Sequence, residues 1–312
     1  MTAATMAPSQ PPPVQEQRPG EVRSRSLWAD AWREMKAKPL FWIACALILL
    51  FVTMAAFPGL FSGKDPGACQ LVDFRQKPSA AHWFGTDTQG CDVYARSIFG
   101  ARASILVGVF TTLFTSLVGL IVGTVAAYAG GWLDAVLMRF TEIFFVIPLL
   151  LGGILFMYAF PSNDTTPYLW VVFKVVLALS VLGWPPMARL MRGAVLQVKQ
   201  NEYVLAAKAL GGSAPRIILS HIIPNAIAPV IVVSTINLGA FISVEATLSF
   251  LGIGLQPPAI SWGIDISNAS AIGMIRSAPW MLIFPSILLS LTVLSFIMLG
   301  DVVRDALDPK LR

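Results

Sequence analysis

The chain has 312 residues, of which 56% are hydrophobic and only 12% are charged, and its formal net charge is +5. Soluble domains carry about 25% charged residues, so this composition excludes a soluble fold and indicates an integral membrane protein. The basic residues flank apolar stretches, which is typical of membrane topology rather than of a nucleic-acid-binding surface. We therefore expect membrane lipid, and no nucleic acid, among the partners.

The N-terminal segment comprises residues 1–39. Residues 1–20 are rich in Pro, Gln, Ala and Thr, a composition that favours disorder. Trp28 and Trp32, four positions apart, predict a short interfacial helix over residues 27–38. The apolar stretch that follows, residues 40–61, is long for a signal peptide and starts far from the N-terminus, so we interpret it as an uncleaved anchor.

Six apolar stretches are long enough to cross a bilayer, which takes about 20 residues each. Five carry no charge, and the sixth contains only Lys174, which we expect to snorkel outward. The stretches are residues 41–61, 103–129, 143–160, 165–188, 222–244 and 277–300. The sequence therefore predicts an all-α membrane protein with six transmembrane helices, in which residues 101–305 form a five-helix core and residues 306–312 form a tail.

The distribution of basic residues predicts the orientation in the membrane. Most of the 22 Lys and Arg residues lie on the inner side if both termini are cytoplasmic, which is the bias expected of inner loops. This orientation makes residues 62–100 an extracytoplasmic segment and makes residues 196–222 a cytoplasmic loop.

A short helical hairpin is predicted within that cytoplasmic loop. Four residues recur at the spacing of one helical face: Tyr203, Ala206, Ala207 and Leu210. Gly211 and Gly212 are expected to end this first helix, and Ser213 is placed to cap a second helix. Pro224 then breaks the helix as the chain returns to the membrane. Such a protruding hairpin on a membrane protein indicates a surface that another protein binds.

Two further stretches lie on the outer side. Residues 82–92 read H-W-F-G-T-D-T-Q-G-C-D, and residues 246–263 read A-T-L-S-F-L-G-I-G-L-Q-P-P-A-I-S-W-G. The glycines and the Pro257-Pro258 pair exclude a straight span, so the second stretch must be buried in protein or line a cavity. Glu245, just before it, either meets an amino group of a substrate or makes a hydrogen bond between helices or subunits.

These stretches resemble the permease subunits of ABC importers. Ala206, Ala207, Gly211 and Pro224 match the family's cytoplasmic coupling loop, although Leu205 and His221 depart from it. The two outer stretches, with L-G-D-x-x-R-D-A-L-D-P at 299–309, resemble the oligopeptide/dipeptide (peptide/nickel) branch, in which Arg is usual at the position of Cys91.

The resemblance implies the type I ABC importer permease fold, in a bacterial cytoplasmic membrane. It implies import of oligopeptides or dipeptides together with a homologous second permease subunit, two ATPase domains and an extracytoplasmic peptide-binding protein. ATP and Mg²⁺ would be bound by the ATPase subunits. We expect this chain to be non-catalytic and to bind no cofactor or metal. It has no Walker A loop, and its two histidines, His82 and His221, lie on opposite sides.

The resemblance also assigns candidate residues. ATPase coupling is expected of Glu202, Tyr203, Ala206, Ala207, Leu210, Gly211, Ser213 and Arg216. The outer mouth or the pathway is expected to involve Glu245, Ser249, Gln256 and Trp262. Importers of nickel or another small solute in the same family remain an alternative, and a secondary transporter is a more distant one, since no inverted repeat is evident.

The cysteines and a few other residues predict local contacts. Cys69 and Cys91 are the two cysteines outside the membrane, on an oxidising side, so we predict a disulfide between them, with two free thiols as the alternative. Cys45, in the first span, is expected to be buried and inert. The G-x-x-x-G motif at 119–123 predicts close helix contact. Local ion pairs are expected among three residues before the third span: Asp134, Arg139 and Glu142.

Overall fold

A computed structural model describes residues 27–163 and 165–307 of the chain. The expected disorder of residues 1–20 and most of the C-terminal tail lie outside the described residues. Within the described ranges the chain forms α-helices joined by turns, with no β-strand. The predicted interfacial helix corresponds to α1 (Leu27–Ala37).

Four helices are long and apolar enough to cross a membrane: α2 (Pro39–Ala56), α3 (Val93–Ala129), α11 (Ala228–Phe250) and α14 (Trp280–Leu307). Two helix pairs are also apolar enough but bent. The bend is 77° between α4 (Gly131–Phe145) and α5 (Leu149–Ala159), and 46° between α6 (Tyr168–Gly183) and α7 (Pro185–Val198). If each pair is one span, the total is the predicted six. The spans expected at 143–160 and 165–188 are each broken, because Pro148 and Pro185 stand at the breaks and proline interrupts helical hydrogen bonding.

The remaining helices are short and lie at the two ends of the long ones. On one end are α8 (Glu202–Ala209), α9 (Ala214–Ile217) and α10 (Ile223–Ala226). On the other end are α12 (Trp262–Ala269) and α13 (Ile272–Ser277). That second end also carries an irregular outer segment, residues 57–92, which is shorter than expected because α3 already begins at Val93.

Helix α3 is the centre of the fold. It packs against α2, α6, α7 and α11. One apolar cluster joins it to α6 and α11, and another joins it to α2 and α14. Asp92 caps its N-terminus, since the Asp92 carboxylate accepts a hydrogen bond from the amide of Ala95 at 3.0 Å.

The close contact predicted from the G-x-x-x-G motif is confirmed between α3 and α7. A Cβ atom at Gly119 would lie 2.6 Å from Cβ of Met187, and one at Gly123 would collide with the carbonyl oxygen of Ala188. The two glycines therefore allow the backbones of α3 and α7 to touch.

The ion pairs differ in part from the expectation. Arg139 and Glu142 form the predicted local pair at 2.9 Å. Asp134 does not pair locally, since α7 approaches α4 and brings Arg192 to it, with two hydrogen bonds of 2.6 and 2.7 Å. Lys174 does not snorkel to solvent. Lys174 is only 8% exposed, and its ammonium group donates hydrogen bonds to the carbonyl oxygens of Phe160 and Pro161. The thiol residue Cys45 is half-buried rather than fully buried.

Candidate functional site

Residues 202–222, named the inner hairpin after the predicted orientation, form a short helical projection at the C-terminal end of α7. The amides of Gly211 and Gly212 donate to the carbonyl oxygens of Lys208 and Ala207, each at 3.1 Å, and Gly211 has a φ of +79°. The prediction that the glycines end the first helix is therefore confirmed, since a left-handed residue after a helix is usually glycine. Ser213 stands at the start of α9, but its side chain makes no capping hydrogen bond, so that part of the prediction is wrong.

A wide helical turn completes the hairpin. Residues Ile218–Ile222 form a π-helical turn directly before α10, whose first turn contains Pro224. A proline ring clashes with the carbonyl four residues before it in a regular α-helix, and the wider turn relieves that clash. The side-chain amide of Asn225 donates to the carbonyl oxygen of His221 at 2.8 Å, so a side chain provides a hydrogen bond to a backbone carbonyl next to the break in the helix.

The hairpin is fixed to the long helices by an apolar anchor. Val204 of α8 and Ile217 of α9 are buried, and both belong to a cluster with Met187, Met191 and Val195 of α7. Because one side chain from each arm enters this cluster, the hairpin is packed against α7, which in turn packs against α3.

Charged groups strengthen the same connection. The ammonium of Lys199 donates to the carbonyl oxygens of Ala127 and Tyr128, at 3.0 and 2.9 Å, where α3 ends. A lysine at a helix C-terminus satisfies free carbonyls and opposes the negative end of the helix dipole. The Arg192–Asp134 pair ties α7 to α4 beside it.

The hairpin exposes several large apolar side chains. Leu210 is 89% exposed and Leu219 is 65% exposed, and Tyr203 and Leu205 are also exposed. The other predicted coupling residues are exposed or partly exposed: Glu202, Ala206, Ala207, Gly211, Ser213 and Arg216. Leu205 and Leu219 were not among the predicted coupling residues, although an apolar residue in a loop too polar for the membrane is a signal of contact with a partner. Exposed apolar patches of this kind mark interaction sites.

The predicted disulfide between Cys69 and Cys91 is confirmed. The disulfide links two parts of the outer segment, and Cys91 lies directly before the start of α3. Beside it, the Asp92 carboxylate pairs with the ammonium of Lys64 at 2.6 Å and contacts Nδ1 of His82 at 2.9 Å. Burial alone would raise the pKa of Asp92, but hydrogen bonds from Lys64, the Ala95 amide and His82 lower that pKa below its usual range. The outer segment is thus fixed to the start of α3 by a covalent bond and an ion pair.

The turn between α11 and α12 is broken, as the sequence predicts. Gly252 has a φ of +75°, and the peptide bond between Pro257 and Pro258 is cis. Leu255 and Ala259 of this turn are buried in the chain, while Leu251, Pro257 and Pro258 are exposed. The turn is therefore only partly buried within this chain.

The outer-mouth candidates take up structural positions in this turn. Glu245 is fully buried and accepts a hydrogen bond from Oγ of Ser249 at 2.8 Å, within its own helix, while the same Oγ accepts from the amide of Leu255. Buried Trp262 donates its indole N–H to the carbonyl oxygen of Ser97 at 2.8 Å. Of the four candidates only Gln256 reaches the surface, so in this conformation the other three support the turn and offer no surface to cargo.

Comparison with known proteins defines the class of this chain. The family of inner membrane components of binding-protein-dependent transport systems matches residues 116–312, and the N-terminal transmembrane domain of oligopeptide transport permease C matches residues 26–78. The chain therefore belongs to the family of binding-protein-dependent transport system inner membrane components. This membership confirms the family that the motifs predicted, the type I permease fold and the membrane location.

Individual relatives are similar along nearly their whole length. The chain is 40% identical over 289 residues to the dipeptide transport system permease protein DppC of Bacillus subtilis, covering 93% of this chain and 88% of that protein. It is 38% identical over 290 residues to the oligopeptide transport system permease protein OppC of the same organism, covering 93% and 92%. It is 34% identical over 298 residues to the glutathione transport system permease protein GsiD of Escherichia coli, covering 95% and 94%.

Proposed function

We propose that this chain is the permease subunit through which oligopeptides or dipeptides cross the cytoplasmic membrane, driven by ATP hydrolysis on separate ATPase subunits. The observation that carries the proposal is the similarity to permeases named for dipeptide, oligopeptide and glutathione transport. All three names denote short peptides, which favours peptide cargo over nickel or another small solute.

The importer would contain two different permease chains, with this chain paired to a homologous second one. Two ATPase domains would bind on the cytoplasmic side, and an extracytoplasmic peptide-binding protein would deliver cargo on the other. This chain would be non-catalytic and would bind no cofactor, because ATP and Mg²⁺ belong to the ATPase subunits.

The inner hairpin would be the contact with an ATPase domain. Its exposed leucines offer the apolar surface for docking, and Val204 and Ile217 connect that surface to α7. Closure of the ATPase domains would move the hairpin, and α7 and α3 would move with it, so that the pathway between the two permeases opens outward. ATP supplies the difference in free energy between the two states that any such shift requires.

The orientation follows from the same proposal. Residues 1–39, the loop 196–222 and the tail 306–312 would be cytoplasmic, and residues 62–100 would be extracytoplasmic. A disulfide within the outer segment supports this, because disulfides persist on the oxidising side of the membrane.

Reconstitution of the complete importer in proteoliposomes, with its binding protein, tests the function. We expect ATP-dependent accumulation of radiolabelled trialanine and no accumulation of radioactive Ni²⁺. A partner ATPase with its Walker A lysine replaced is the control, and it should abolish uptake. Accumulation of Ni²⁺ without trialanine would assign the alternative cargo, and uptake with the inactive ATPase would favour a secondary transporter.

A further inference from the structure

A polar cavity of about 160 Å³ lies between the outer segment, the start of α3 and the short helix α12. Val93 and two methionines form its apolar wall. The polar lining consists of Asp87, Thr88, Gln89, Arg96, Asp265 and Asn268. None of these residues belongs to the inner hairpin or to the predicted outer-mouth set, so the cavity is a separate feature of the chain.

The charges around the cavity do not balance. Arg96 is the one cation in the lining, and it donates from Nε and Nη2 to the same oxygen of Asp265, Oδ1, at 3.0 and 2.7 Å. Asp87 also faces this guanidinium, with Oδ2 at 3.7 Å from Nε. One guanidinium therefore stands between two carboxylates, so the cluster has one excess negative charge when Asp265 is ionised. Burial raises the pKa of Asp265 although Arg96 beside it acts in the opposite direction, and a cation bound here would favour the ionised carboxylate.

Each carboxylate has one oxygen that lacks a close hydrogen-bond donor among the described residues, and that of Asp265 is buried. The Asp265 side chain is only 9% exposed, and among the described residues no group donates to its Oδ2. The Oδ1 atom of Asp87 accepts from the amides of Gln89 and Cys91, at 2.8 and 2.9 Å, while its Oδ2 has only the long approach to Arg96. A buried carboxylate oxygen without a donor is unfavourable, and a ligand that donates hydrogen bonds would satisfy it.

We propose that this cavity binds a primary ammonium group at the end of a chain. Such a group carries one positive charge and three N–H donors, which match the excess charge and the free carboxylate oxygens. The cavity is well above the roughly 10–15 Å³ that one water molecule needs, so it admits the ammonium with its attached carbons, against the apolar wall. A divalent metal ion fits less well, because Arg96 stands between the only two carboxylates and would repel it.

Two sources could present this ammonium group, and both rest on the proposed function. One is the amino terminus of a peptide on its way to the pathway. The other is a lysine side chain of the docked binding protein. The chemistry that recognises them is the same, so the site is defined by the ammonium group, and its source is decided by competition.

Saturation-transfer NMR on the complete reconstituted importer tests the site, with methylammonium as the probe. We expect transfer to the methyl signal of methylammonium and none to tetramethylammonium, which has the same charge but no N–H donor. Asp87→Asn should abolish the transfer, while its amide oxygen keeps the hydrogen bonds from Gln89 and Cys91. Asp265→Asn is the second variant, and Asp65→Asn, an exposed carboxylate of the outer segment, is the matched control that should bind as wild type.

The site is refuted if methylammonium shows no transfer, if tetramethylammonium binds equally, or if Asp87→Asn and Asp265→Asn both bind as wild type. These readouts need no transport, so they stand apart from the test of peptide import. Displacement by trialanine but not by N-acetyl-trialanine would assign the peptide terminus. Displacement by peptide-free binding protein would assign a lysine of that protein, and displacement by neither would contradict the proposal.

Discussion

The contact between α3 and α7 predicts a large effect from a single methyl group. In Gly123→Ala the new Cβ would collide with the carbonyl oxygen of Ala188 and would lie 2.9 Å from the amide nitrogen of Arg192 and from Cβ of Met191. These atoms belong to the α7 backbone or adjoin it, so they cannot move aside by a rotamer change. Overpacking of a well-packed contact destabilises by about 1–3 kcal/mol, and we expect the upper half of that range.

Gly193→Ala provides the matched control for this substitution. Gly193 lies on α7 as well, but a Cβ there would meet no atom within 4 Å. Alanine at this position should leave stability unchanged or raise it by up to about 1 kcal/mol, through the lower entropy of the unfolded chain. Unfolding of the purified variants in mixed micelles, with increasing dodecyl sulfate, measures the free energy of unfolding of each variant. Equal stability of Gly123→Ala and Gly193→Ala would refute the described contact.

Three further predictions concern the two ends of the molecule. Replacing Cys69 and Cys91 with serine should destabilise the outer segment by roughly 3 kcal/mol, seen as faster protease cleavage of that segment. The pKa of Asp92 is lowered in the folded chain, so its contribution is complete above the unfolded value of about 3.9 and is lost as pH falls through the folded value. Protease resistance of the outer segment should therefore fall in acid, and Asp92→Asn should flatten the profile. Ile217→Ala should destabilise the inner hairpin by about 2–5 kcal/mol, seen as faster hydrogen exchange in α8 and α9.

Each of these predictions has a control in the same region. Cys45→Ser should leave protease cleavage unchanged, and so should Asp65→Asn at every pH. Leu219→Ala, at an exposed position of the hairpin, should not change hydrogen exchange in α8. Equal exchange in Ile217→Ala and Leu219→Ala would contradict the buried anchor, and an acid profile unaffected by Asp92→Asn would contradict the ion pair with Lys64.

Much of the fold could be predicted from apolar length and from glycine positions. Apolar stretches predicted six spans, the number reached when each bent pair counts as one span, and Gly119 and Gly123 predicted a close helix contact, which lies between α3 and α7. The angles of 77° and 46° beside Pro148 and Pro185 could not be predicted, because a proline weakens a helix without fixing its direction. Contacts between residues far apart in the sequence could not be predicted either. The pairing of Asp134 with Arg192 depends on how α4 and α7 pack, and local spacing favoured Arg139 instead.

The candidate sites differ in how far the sequence located them. The hairpin was predicted almost to the residue, because two glycines and a proline in a polar loop leave few alternatives. The burial of Glu245, Ser249 and Trp262 was not predicted, since a polar residue in a broken apolar segment suits either a pathway or a supported turn. The cavity at Arg96 was missed because Asp265 lies far from Asp87 and Arg96 in the sequence and meets them only when α12 packs beside α3.

The central claim, that the inner hairpin contacts the ATPase on the cytoplasmic side, is tested most directly by cross-linking. A benzophenone attached to Leu210→Cys, in a Cys45→Ser background, should cross-link to the ATPase subunit of the assembled importer. The same label on Leu71→Cys, at a leucine of the outer segment that is 77% exposed, should give no cross-link to the ATPase. Failure of the Leu210→Cys cross-link, or a cross-link from Leu71→Cys to the ATPase, would contradict the coupling role or the orientation proposed for this chain.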